Sequence, residues 1–127
     1  METRIELIGY SNEFRNSNKI GWGCGYVLIP LSHPFADVKL LLNNDTYFYP
    51  QIEGFSEEIT YAEIEDDFLK IGFDTAHSWN NETHNKDFVE RKANELKAFI
   101  DSYTIINAKL EVQKMFEDLK VKFKNYL

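Results

Sequence analysis

Near Asp87 the spacing of apolar residues along this 127-residue chain changes, from every second position to every third and fourth. Strand faces repeat with a period of about 2 and helix faces with a period of about 3.6, so the chain reads as strands first and helices afterwards. "RIELIGY" (Arg4 to Tyr10) and "GYVLIP" (Gly25 to Pro30) are short and rich in β-formers, and Pro30 and Pro34 then break the chain. "VKLLLNND" fits either period, and "TYFYPQI" reads as extended with a break at Pro50. "EEITYAEI" sets Ile59 and Tyr61 against Glu58, Thr60 and Ala62, and "FLKIGFD" sets Leu69, Ile71 and Phe73 on one face. No helix-length crossover separates these strands, which predicts an antiparallel meander.

After the change, Val89, Ala93, Leu96, Ile100 and Tyr103 form one helical stripe, widened by Phe99. Asp87 followed by Glu90 predicts a capping box at its start. Val112, Phe116, Leu119, Phe123 and Tyr126 form a second stripe, with Met115 beside it. Asn107 either separates the two or lies within one bent helix. The expected fold is α+β: an antiparallel β-sheet in the first two-thirds packed against a C-terminal pair of amphipathic helices. Residues 1–127 are expected to form a single globular domain. So much amphipathic helix exceeds what a small sheet can cover, which leaves apolar surface for another subunit.

Composition removes several classes. A formal charge of -7 argues against DNA or RNA as a partner, because such binding needs a basic face to displace counterions. No apolar run approaches the ~20 residues of a membrane span, and Met1 to Tyr10 lacks a signal-peptide layout. A single cysteine, Cys24, permits no internal disulfide and fits a reducing cytoplasm. The lysines gather near the end (Lys114, Lys120, Lys122, Lys124), where they suit the negative end of a helix dipole.

Catalytic and metal motifs are missing from the sequence. His33, His77 and His84 do not carry the spacing of a zinc site, and neither a nucleophile elbow nor a phosphate-binding glycine loop occurs. "GWGCG" (Gly21 to Gly25) has glycine at every second position and precedes a strand, which fits close backbone approach or a bulge. No metal and no cofactor are expected. The informative stretch is "GFDTAHSWNNETHNKDF". Phe73 ends an apolar strand face, where a core aromatic is the ordinary outcome. Asp74 can accept N–H groups of its own turn, and His77 alone suits a structural role. Trp79 with Asn80 and Asn81, in the loop before a helix N-terminus, is a set that can stack on a base and bind phosphate. The stretch reads as a loop for a nucleotide-like ligand. A small phosphodiesterase or ADP-ribose hydrolase using Asp74 or His77 as general base is the competing reading, and a protein-interaction inhibitor without a small ligand is a third.

"GWGCGYVLIPLSHPF", "EEITYAE", "KIGFDTAHSWNN" and "FVERKANELKAF", in that order, resemble the anti-Thoeris sponge family of phages and prophages. The resemblance runs from Gly21 to Phe99, and "GFDTAH" is its most specific part. It implies a non-catalytic protein of the bacterial host cytoplasm that captures a cyclic nucleotide immune signal, of the glycocyclic ADP-ribose type, without degrading it. It also implies a homodimer that assembles further into a homohexamer, with the signal near the dimer interface. Cyclic oligonucleotides are an implied second ligand class. The family's binding aromatic falls on Phe73, its polar contacts on the segment around Asn81 and Thr83, and its phosphate-binding arginine on Arg91. "IEGFSEE" departs from the glycine-rich form of the family before the "TYAE" strand.

Overall fold

The structure is a computed structural model that describes residues 2–37 and 52–124. Along it run β1 (Arg4–Gly9), α1 (Asn12–Asn18), β2 (Gly23–Pro30), β3 (Tyr61–Glu65), β4 (Phe68–Asp74), α2 (Lys86–Asp101) and α3 (Ile105–Lys124). "VKLLLNND" and all of "TYFYPQI" but Ile52 lie outside the described residues.

The four strands form one antiparallel sheet in the order β1-β2-β4-β3. A simple meander would have placed β3 beside β2; instead β4 takes that place and β3 lies at the edge. Burial explains the exchange. Leu69 to Phe73 of β4 are buried on both faces, whereas Glu63, Ile64 and Glu65 of β3 are exposed. A charged strand suits an edge, where it discourages pairing with other chains. Asp66 and Asp67 connect β3 to β4, and Asp66 takes the left-handed conformation at φ 54.

The inner sheet face carries Val27, Ile29, Leu69, Ile71 and Phe73, and it packs on Val89, Ala93, Leu96 and Ile100 of α2. This is the expected α+β arrangement, with the C-terminal helices against the sheet. α2 supplies the buried side chains; α3 has none fully buried. A Cβ at Gly25 would lie 2.7 Å from the Phe73 ring, so the glycine makes room for that ring. On the outer face Lys70 pairs with Glu6 (3.2 Å) and Glu65 (3.4 Å), and its ammonium sits 4.4 Å from the centre of the Tyr26 ring.

Two helix starts differ from expectation. Asn85, not Asp87, caps α2: its side chain accepts from the Phe88 N–H at 3.0 Å, and Asp87 lies in the first turn beside the positive end of the dipole. The stripes form two helices separated at Ser102 to Thr104, and Asn107 belongs to the second. Thr104 Oγ1 accepts from the Asn107 N–H (3.2 Å), while Asn107 Oδ1 accepts from the Thr104 N–H (2.9 Å). That reciprocal pair is a capping box with Asn in the usual Glu position. α1 was not foreseen. Ser11 caps it by accepting from the Phe14 N–H, but it buries no residue and so leaves no apolar stripe to read.

Candidate functional site

The chain between β4 and α2 is held against the entry to β2 by one buried threonine. Thr75 Oγ1 donates to the Gly23 carbonyl (2.7 Å) and accepts from the Gly23 N–H (3.1 Å). The Gly21 N–H donates to the Thr75 carbonyl and the Trp22 N–H to the His84 carbonyl, both at 2.8 Å. A Cβ on Gly21 would come within 2.4 Å of Thr75 and 2.9 Å of the His84 carbonyl oxygen, so this approach requires glycine. The spaced glycines of "GWGCG" thus serve close backbone contact.

Side chains within the loop fix its shape. Asp74 Oδ1 accepts from the Ala76 N–H (3.0 Å), an Asx turn, and Asp74 Oδ2 accepts from the Thr60 hydroxyl (2.8 Å). Asn80 is buried, and its side chain accepts from the His77 N–H at 2.9 Å instead of facing a ligand. His77 Nδ1 lies 3.1 Å from Asn80 Oδ1 and 3.5 Å from Asp74 Oδ1, and two acceptors facing it place the ring proton there. The Trp79 indole stacks on the His77 ring with centroids 4.4 Å apart and planes 6° from parallel. Its outer face is open, since Trp79 is 61% exposed. Asn81 Oδ1 accepts from the Thr83 N–H (2.9 Å) and hydroxyl, and the Asn81 N–H donates to His84 Nδ1 (3.0 Å).

This loop and α1 form the two walls of an open groove of ≈ 810 Å³. Asn81, Glu82, Thr83 and Asn85 line one wall; Asn12, Arg15, Asn16 and Lys19 line the other, with Gly21 and Trp22 at the base. The lining is rich in amides, with two cations, one acid and one large aromatic. Lys86 adds a third cation beside it, its ammonium 5.9 Å from the Trp22 ring centre. A smaller groove of ≈ 270 Å³ lies on the other side of Lys19, between the end of α1 and Ala76 to Asn80.

Of the residues expected to form a site, Asn81 and Thr83 line the main groove and His77 lines the smaller one. Asp74 and Trp79 belong to the same loop. Phe73 does not share this surface. Only 1% exposed, it has its ring against Phe55 (centroids 5.8 Å apart) and over Gly25, so neither face is open to a ligand. Arg91 is also displaced. It lies six residues beyond Asn85, about one and two-thirds helical turns on, with its guanidinium over the Phe88 ring at 5.6 Å. The wall that sequence reading missed is α1, whose Asn, Arg and Lys carry no periodic signal.

Among the described residues no group of three or more His, Cys, Asp or Glu is placed to hold an ion, and no helix is long and apolar enough to cross a membrane. Burial, helped by the Cys24 thiol beside it, pushes the Tyr10 phenol well above its ordinary value. No protein-family model, curated protein or solved structure matches the chain.

Proposed function

We propose that this protein captures a cyclic nucleotide signal of the glycocyclic ADP-ribose type and holds it uncleaved, as an anti-defence sponge of the anti-Thoeris kind. The observation that carries this reading is the groove between α1 and the Asn81–Asn85 loop. Its amides offer paired donors and acceptors to a base and ribose, its cations suit phosphate, and Trp22 offers an aromatic surface. Capture needs affinity and slow release without any transition-state term. Nanomolar binding corresponds to about 12 kcal/mol, within reach of one stacked base and several charge-assisted hydrogen bonds.

Self-association belongs to the same proposal. α3 leaves Ile105, Ile106, Leu110, Phe116, Val121 and Phe123 more than half exposed, an apolar surface of the kind that two-fold interfaces cover.

The hydrolase reading draws on the Asp74–His77 pair. Both Asp74 oxygens, however, serve the turn and Thr60, and His77 is capped by Trp79. Calorimetry with glycocyclic ADP-ribose tests the location. Asn81→Ala removes the groove amide and its brace on Thr83, and we expect affinity to fall by ~tenfold with the melting temperature nearly unchanged. Binding by Asn81→Ala at wild-type strength would place the ligand elsewhere.

A further inference from the structure

We propose that Arg15 and Lys19 form an anion subsite on the α1 wall of the groove, which takes a phosphate or diphosphate. This rests on the reading of the groove as a ligand site. The chain holds 21 acidic residues to 14 Lys and Arg, yet among the described residues neither Arg15 nor Lys19 has a carboxylate partner. What sets these two cations apart is their place, four residues apart on one concave wall of an acidic protein. The Arg15 fork is also oriented. Its Nη2 donates to Asn12 Oδ1 one turn earlier, and Nε is shielded from solvent without an acceptor. That leaves the rest of the fork uncommitted.

Lys19 is brought beside it by the end of the helix. It is the C-cap of α1 at φ 51, and its N–H donates to the Arg15 carbonyl at 2.9 Å. A planar fork matches two oxygens of one anion, and a point charge next to it suits a second negative charge, which favours phosphate over a single carboxylate. Glu82, the acid of the groove, is on the facing wall, where it can accept from ribose hydroxyls.

The test follows amide shifts of isotope-labelled protein at low salt as inorganic pyrophosphate, and separately glycocyclic ADP-ribose, is added. Arg15→Gln should weaken both by ~tenfold or more, and Arg15→Lys should recover only part of the loss because it restores the charge without the fork. Lys19→Asn should weaken both by a smaller factor; asparagine accepts the left-handed conformation, so the backbone is kept. Neither position is in the core, so the fold survives each change. Pyrophosphate bound through Arg15 with no glycocyclic ADP-ribose binding would uphold the subsite and sink the nucleotide reading. Undiminished glycocyclic ADP-ribose binding by all three variants would sink the subsite and leave the nucleotide reading standing. Absence of wild-type binding to either probe would overturn both.

Discussion

Phe73 illustrates how one residue can satisfy a motif and still play another part. Its position at the end of "FLKIGFD" puts it in register with Leu69 and Ile71, and that alternation, not the polar loop after it, decides where the ring goes. Enclosed by Phe55, Gly25 and α2, it is a packing residue. Phe73→Ala should therefore cost about 3–5 kcal/mol of stability through the cavity left behind. Denaturant melts check this; a variant that keeps wild-type stability and loses only ligand would restore the stacking role. Asn81 and Thr83 behave differently, because their short side chains brace the loop and still face the groove.

Elements were legible to the extent that burial marks them. β4 and the stripes of α2 are periodic because a buried face imposes a period, and each is observed where that period places it. α1 escaped notice because no side chain of it is fully buried; "SNEFRNSN" holds its helix by a Ser11 cap and local amide bonds. Half the groove was therefore invisible in the sequence. The strand order was also hidden, since the segment between β2 and β3 carries no signal for which neighbour β4 should take. The helical turn after β2 shows a further device. Pro34 starts it, and His33 caps it by accepting the Phe35 N–H on Nδ1 at 3.1 Å, which requires an unprotonated nitrogen. Burial lowers the His33 imidazole from its ordinary value, with the Asp101 carboxylate opposing in part. The folded state thus binds this proton less readily than the unfolded chain. Its contribution is complete above the unfolded pKa of about 6.5 and is lost as pH falls through it toward the lower folded value. Melting temperature should drop between about pH 7.5 and pH 5.5, and His33→Asn, whose Oδ1 can accept the same N–H, should show a shallower drop. Equal slopes would remove His33 from the account.

Taken as a whole, the molecule pairs a well-packed sheet and α2 with two surfaces of different character. One is the amide-lined groove, where donors of fixed geometry face a space large enough for a nucleotide. The other is the exposed apolar side of α3, the surface proposed to pair copies of the chain. In the proposed sponge the groove would hold the ligand, and slow release rather than catalysis would be its task. Native mass spectrometry of the protein loaded with glycocyclic ADP-ribose reads both at once. The expected result is an assembly of an even number of chains carrying ligand of unchanged mass. A bare monomer, or a bound or released ligand heavier by one water, would contradict capture without cleavage.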